Sequence, residues 1–127
     1  MAHSPAVLAA YTSLRAVTAE HGTLDPKVIW ALNLATAATV GNDYMSGIAS
    51  RFAGMNGWTE AQIAALRTGT ATGDAKIDAL TRVVREAAAN SGSVTDAAWE
   101  AAQVGGWSDE HLTEAFAFLG LTMFTGY

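Results

Sequence analysis

The segment "VGNDYMSGIASRFAGMNGW" (residues 40–58) opens with neutral polar side chains that could contact a substrate. Tyr44 could donate or share a proton with a bound oxygen, and Asn42 offers a carboxamide, so these two are the candidate catalytic contacts. Each residue also has a structural interpretation. Asn42 is a preferred helix N-cap and Asp43 a partner of the helix dipole. Tyr44 could be a partly buried ring with a bonded hydroxyl, and Met45 a core filler.

A second group of candidates lies upstream, in the stretch "VIWALNLATAATV" (residues 28–40). This stretch is apolar on nearly every side of a helix, yet Asn33 follows Trp30 by three residues and therefore shares its face. A carboxamide on such a face must find a hydrogen-bond partner or face a cavity. Together with Tyr44 and Met45 it would form an aromatic-walled pocket of the kind that binds small molecules. Burial against another helix or subunit explains the same residues without a ligand.

Composition excludes several chemistries. The sequence contains no cysteine, which removes disulfides, thiolate metal sites and thiol nucleophiles. Its three histidines, His3, His21 and His111, match no metal-ligand spacing, so we expect no metal site and no cofactor. The formal charge is -5 and the seven Lys and Arg residues are scattered, so nucleic acid is not an expected partner.

Length and hydropathy indicate a cytoplasmic protein of one domain over residues 1–127. The longest apolar run, "FAFLGLTMF", is too short to span a bilayer, and the start "MAHSPAV" lacks the pattern of a signal peptide. We therefore expect no membrane association. Because half of the residues are hydrophobic, self-association would help to bury apolar surface.

Helix start and stop signals recur at short intervals and predict an all-α fold, a compact bundle of six to seven helices. Ser4 with Pro5 and Asp25 with Pro26 are two helix starts, followed by stops at Gly22 and Gly41. A third helix is predicted from about Asp43 to Asn56, and a fourth begins at Thr59 with Gln62 completing a capping box. "GDAKIDALTRVVREAAANSG", "TDAAWEAAQVGG" and "SDEHLTEAFAFLGLTMF" predict three more. No stretch has the alternation of a strand.

Two tryptophans occupy similar positions in the segments "NGWTEAQI" and "GGWSDEHL". Each precedes an N-cap, so Trp58 could pack on Ile63 and Trp107 on Leu112 as hydrophobic staples. This pattern favours a role at helix junctions over one in ligand binding.

From Leu24 to Tyr127 the order of these elements resembles the alkylhydroperoxidase D-like, or carboxymuconolactone decarboxylase, family. The resemblance is carried by "LDPKVIWALNLATAATVGNDYMSGIASRFAGMNGWTEAQIAALRTG" and by "LTRVVREAAANSGSVTDAAWEAAQVGGWSDEHLTEAFAFLGLTMFTGY". It implies a small all-helical protein that assembles as a homotrimer or homohexamer, with pockets near the subunit interfaces.

The redox motif of the peroxidase branch, E-x11-C-x-x-C-x-x-x-H, falls on Trp30, Asn42, Met45 and Ala49 when its trailing glycine is placed at Gly57. Every chemical position is replaced, and neither a carboxamide nor a thioether can act as the thiolate that attacks a peroxide. The resemblance therefore implies the family scaffold without its redox reaction.

These observations leave three hypotheses for the function. The first is a cofactor-free enzyme acting on a hydrophobic or aromatic metabolite, with a pocket formed by Trp30, Asn33, Asn42, Tyr44, Met45 and Ala49. The alternative is a non-catalytic oligomer that binds a small molecule or has a structural role. Peroxiredoxin-like activity is implied by the family resemblance alone and conflicts with the missing cysteines.

Overall fold

The computed structural model describes residues 4–125, which form seven α-helices and no strand. The helices are α1 (Pro5–His21), α2 (Pro26–Thr39), α3 (Asp43–Met55), α4 (Glu60–Thr68), α5 (Ala75–Ala89), α6 (Asp96–Val104) and α7 (Asp109–Thr125). The prediction of an all-α fold with six to seven helices is confirmed. Within the described part of the chain, no helix is long and apolar enough to cross a membrane.

Short polar side chains begin most of these helices. Ser4, Asn42, Asp74 and Thr95 each accept a hydrogen bond from a backbone amide of the first turn. Thr59 and Gln62 form both bonds of the predicted capping box. The predicted end of α3 is corrected by one residue. Met55 is its last helical residue, because the Asn56 amide already bonds the carbonyls of the final turn as a C-cap.

The core is centred on α2, as its apolar sequence requires. Ala31, Leu32, Leu34, Ala35 and Ala37 are each at most 1% exposed. Helices α3, α4, α5 and α7 pack against α2 and enclose it on most sides. Helix α5 contributes an apolar face at helical spacing, and all of its members are buried: Ile77, Leu80, Val83, Val84 and Ala87.

Helix α1 packs differently from the rest, since none of its residues from Pro5 to His21 is buried. It lies against α7, where the Tyr11 ring stacks on Phe124 with 5.7 Å between centroids. The Thr125 hydroxyl donates to the Tyr11 hydroxyl oxygen at 3.2 Å. This helix therefore covers the bundle without being part of its core.

The two tryptophans at helix junctions tie distant parts of the chain together. The indole N–H of Trp58 donates to the Lys27 carbonyl at 2.8 Å, and that of Trp107 donates to the Lys76 carbonyl at 2.7 Å. The ammonium of each lysine lies over the same indole ring, 4.7 Å and 4.5 Å from the ring centroid. In both cases the tryptophan follows the lysine by 31 positions. Each of these lysine–tryptophan latches fixes a helix junction to the first turn of an earlier helix.

The two latches also mark an internal repeat. The glycines that precede the tryptophans, Gly57 and Gly106, have positive φ angles of 98° and 106°. The amides of Trp58 and Trp107 each bond a carbonyl five residues back, both at 3.1 Å. The junction between α3 and α4 and the junction between α6 and α7 therefore share the same local geometry. The sequence pattern indicated only local staples, because the lysine partners lie far away in the chain.

Replacing a latch tryptophan by phenylalanine tests the role of its indole N–H. We expect Trp58→Phe to lower the free energy of unfolding by about 2 kcal/mol, since it removes a hydrogen bond from a buried site and weakens the contact with Lys27. Urea unfolding followed by circular dichroism measures this loss. Trp99→Phe is the matched control, because no indole hydrogen bond is found for Trp99 within residues 4–125. Equal losses in the two variants would contradict the latch.

Candidate functional site

A cavity of about 460 Å³ lies where α1 covers the core, between α1, α2, α3 and α7. Its volume is in the range of small-molecule sites. It is lined by Tyr11, Arg15, Thr18, Ala19, Gly22, Leu24, Ile29, Trp30, Asn33, Met45, Ile48, Phe52, Phe118, Leu121, Thr122 and Thr125. Four helices and the connection after α1 thus contribute to one site.

One wall of the cavity is aromatic. Trp30 on α2 and Phe52 on α3 stack with 4.6 Å between ring centroids and an interplanar angle of 16°. Phe52 remains 37% exposed although it is a large apolar side chain. A flat aromatic surface that reaches both the cavity and the solvent can bind a second ring or an apolar chain.

Neutral polar groups in this cavity are held by contacts between distant helices. The buried Thr122 hydroxyl of α7 donates to the Asn33 Oδ1 of α2 at 3.0 Å. Sequence reasoning required Asn33 to bond a partner or face a cavity, and here it does both. A carboxamide in this position can offer a hydrogen bond to a ligand that is otherwise surrounded by apolar atoms.

Helix α1 contributes lining residues that the sequence analysis did not identify. Tyr11, Arg15, Thr18 and Ala19 recur at helical spacing on one face of α1. Arg15 is the charged residue among the described residues that line the cavity. The sequence carried no clear signal for this face, because polar residues such as Thr12, Ser13 and Glu20 also occur elsewhere on α1. The role of this face depends on α7, which lies about a hundred residues away in the chain.

The structure brings together three of the six residues predicted for the pocket. Trp30, Asn33 and Met45 line the cavity. Asn42 caps α3 instead, its Oδ1 accepting the Met45 amide at 3.0 Å. Tyr44 is 76% exposed and lies outside the cavity, and Ala49 is fully buried without lining it.

The position of each residue around α3 explains why Met45 lines the cavity and Tyr44 does not. Its first turn places Met45 on the side that faces the core, whereas Tyr44, one residue earlier, points about a quarter of a turn away. The two candidate catalytic contacts, Asn42 and Tyr44, are therefore not part of the cavity wall.

Glu114 of α7 fixes one end of the cavity. Its carboxylate accepts the Thr23 amide at 2.7 Å, the Thr23 hydroxyl at 2.6 Å and the Leu24 amide at 3.1 Å. A side chain on Gly22 would meet this carboxylate, since a Cβ there would lie 3.0 Å from Glu114 Oε1. Both oxygens of Glu114 are thus used to hold the connection between α1 and α2 against α7.

A second depression, near Arg67 and Arg85, has a structural explanation. Thr39, Gly69 and Asn90 line it, so the C-terminal ends of α2, α4 and α5 meet there. The Arg85 guanidinium donates to the Leu66 carbonyl, and burial lowers the pKa of Arg85, an effect that Asp78 partly offsets. The arginines balance the negative ends of the helix dipoles, and this explains their presence without a ligand.

No group of three or more His, Asp or Glu side chains that could hold a metal ion is found within residues 4–125. The lining residues in that range also include no Asp, Glu, His or Lys. The arrangement therefore offers hydrogen bonds, apolar surface and one guanidinium, which are suited to binding and orienting a molecule.

The fold and site define a small all-helical protein with an apolar cavity under its first helix. The sequence matches the model of the carboxymuconolactone decarboxylase family over residues 5–86, which is more than half of the chain. The protein therefore belongs to the carboxymuconolactone decarboxylase family, as a member without cysteine. The matched range includes α1, whereas the resemblance in sequence begins at Leu24. No curated protein matches the sequence.

The hydrogen bond between Asn33 and Thr122 can be tested by a double-mutant cycle. Thr122→Val removes the donor at nearly constant shape, and Asn33→Leu removes the acceptor. We expect a coupling free energy of about 1 kcal/mol between the two substitutions, because the pair is largely screened from water. Thermal and urea unfolding of the four proteins give this value. Additive losses would mean that the two side chains do not stabilise each other.

Proposed function

We propose that this protein binds an apolar, largely aromatic small molecule in the cavity under α1. The observation that carries the proposal is the cavity itself, in which the stacked pair of Trp30 and Phe52 faces a few neutral polar groups. At about 30 Å³ per water-sized group, its 460 Å³ would hold roughly 15 non-hydrogen atoms. A ligand with two or three rings is of about this size.

Thiol peroxidase chemistry is not part of the proposal. Such a reaction requires a thiolate to attack the peroxide oxygen and a second thiol to resolve the sulfenic acid. The sequence contains no cysteine, so no side chain of this protein can take either role.

Binding is favoured over a cofactor-free reaction by the chemistry of the cavity wall. The side chains that most often take up a proton in catalysis are His, Asp, Glu and Lys. None of these is among the described residues that line the cavity, and the nearest carboxylate at the Gly22 end, Glu114, accepts three hydrogen bonds from the protein. A ligand could be held and oriented here without an evident base to act on it.

Self-association through α1 is the second element of the proposal. Val7, Ala10, Leu14 and Val17 share one side of α1 at helical spacing, next to the face that covers the cavity. All four are exposed, with Leu14 at 41% and Val17 at 53%. An apolar stripe of this kind is typical of a helix that packs against another subunit. We propose that it contacts a second copy of the chain in a homotrimer or homohexamer.

Filling the cavity tests the ligand site. Ala19 and Ala16 are both exposed residues of α1, but only Ala19 lines the cavity. We expect wild-type protein to bind the neutral fluorescent probe N-phenyl-1-naphthylamine. Ala19→Phe should weaken this binding by about tenfold or more, because the new ring occupies the space of the ligand. Ala16→Phe should leave the affinity unchanged. Fluorescence titration decides, and equal affinities in all three proteins would contradict a site under α1.

A charged residue introduced into the apolar stripe of α1 tests whether this stripe is a subunit interface. We expect size-exclusion chromatography with light scattering to show three or six copies of the 13.2 kDa chain for wild-type protein. Leu14→Glu should shift the mass toward one chain, because a carboxylate buried in an apolar interface is strongly unfavourable. Ala16→Glu, on the opposite side of α1, should retain the assembly. A monomeric wild-type protein, or an unchanged mass for Leu14→Glu, would refute the stripe as an interface.

A further inference from the structure

Charge is distributed unevenly between this cavity and the rest of the protein. The chain has 12 Asp and Glu residues and only 7 Lys and Arg residues. Nevertheless, the described residues lining the cavity include Arg15 and no carboxylate. Positive charge at the cavity of an acidic protein favours a negatively charged ligand there over the remaining surface.

The Arg15 guanidinium is not engaged by the part of the protein that the structure describes. Within residues 4–125, Arg82 pairs with Glu86, Arg85 donates to the Leu66 carbonyl and Arg67 donates to the Ser50 hydroxyl. No hydrogen bond or ion pair in that range involves Arg15, which is exposed on α1. Its planar fork of donors is suited to bind a carboxylate or sulfonate with two parallel hydrogen bonds.

The two ends of the cavity differ in charge, and this difference would orient a bound anion. At one end are Gly22 and Leu24, beside the Glu114 carboxylate, which disfavours a second negative charge. At the other end, the hydroxyl groups of Tyr11 and Thr125 contact each other. Tyr11 lies one helical turn before Arg15, away from the Glu114 carboxylate. The floor between the two ends is mainly apolar and includes the hydrogen-bonded pair of Asn33 and Thr122.

We infer that the ligand of this cavity is an amphiphilic anion, an apolar ring system or chain that carries one carboxylate or sulfonate group. Its apolar part packs on Trp30 and Phe118, and its acidic group binds Arg15 at the rim. This inference rests on the proposed binding function and specifies the class of ligand. Arg15 selects for charge, whereas the aromatic wall supplies affinity for any apolar molecule of suitable size.

A pair of probes that differ mainly in one acidic group separates these two contributions. N-phenyl-1-naphthylamine is neutral, and 8-anilinonaphthalene-1-sulfonate has the same ring framework with a sulfonate. Both become fluorescent in apolar surroundings, so their dissociation constants can be measured in the same way. The proteins to compare are the wild type, Arg15→Gln and Arg15→Lys. Arg51→Gln serves as the control, because Arg51 is an exposed arginine of α3 that does not line the cavity.

We expect Arg15→Gln to weaken binding of the sulfonate by about tenfold, as for the loss of a partly exposed charge-assisted contact. Binding of the neutral probe should change by less than about twofold, since the apolar wall is intact. Arg15→Lys should restore part of the sulfonate affinity, and added salt should reduce the difference between wild type and Arg15→Gln. Arg51→Gln should behave as wild type with both probes.

Three results would overturn the inference, and they can be distinguished. If Arg15→Gln binds both probes as wild type does, the anionic ligand class is wrong while the apolar site stands. If Arg51→Gln weakens the sulfonate as much as Arg15→Gln does, the effect belongs to the net charge and not to the cavity. Failure of wild-type protein to bind either probe would instead refute the proposed function, and the inference with it.

Discussion

A helix that is apolar on nearly every side must be enclosed, and the structure of this protein depends on how α2 meets that requirement. Helices α3, α4, α5 and α7 cover most of its surface. The remaining side is covered by α1, which buries none of its own residues. The cavity lies on this incompletely packed side, where Trp30 and Asn33 of α2 face residues of α1 and α7. The cavity is thus a consequence of leaving the last side of an apolar helix loosely covered.

The two lysine–tryptophan latches keep the walls of the cavity in place while α1 remains loosely packed. One latch joins the end of α3 to the start of α2, and the other joins the start of α7 to the start of α5. Helices α3 and α7 carry many of the lining residues, so their positions relative to α2 determine the shape of the site. Glu114 adds a third fixed point, at the connection between α1 and α2. For the proposed binding function, a rigid floor under a thinly attached helix would let a ligand enter without unfolding of the core.

The elements of the fold could be predicted from the sequence because their signals are local. The bonds made by Asn42 at the start of α3, and by Thr59 and Gln62 at the start of α4, join residues three positions apart. The site depends on contacts of another kind. Asn33 meets Thr122 across 89 positions and Tyr11 meets Thr125 across 114, and no local pattern specifies such pairs. Tyr44 illustrates the consequence, since its residue type suited a site but its place on α3 directs it to solvent.

This protein belongs to the carboxymuconolactone decarboxylase family but has none of the cysteines on which the redox motif depends. Trp30 and Met45 stand at positions that the redox motif would occupy, and both line the cavity. Where the motif has a glutamate and a cysteine, this protein therefore presents an aromatic ring and a thioether. The change favours contact with an apolar ligand over reaction with a peroxide.

The most direct test of the ligand site is an NMR titration of protein labelled at its methionine and isoleucine methyl groups with N-phenyl-1-naphthylamine. Met45, Ile29 and Ile48 line the cavity, whereas Met55, Ile63 and Ile77 do not. We expect the methyl signals of the first three residues to shift as the ring of the ligand packs beside them, and those of the other three to stay in place. Shifts concentrated at Met55, Ile63 or Ile77, or no shifts at saturating ligand, would contradict a binding site between α1 and the core.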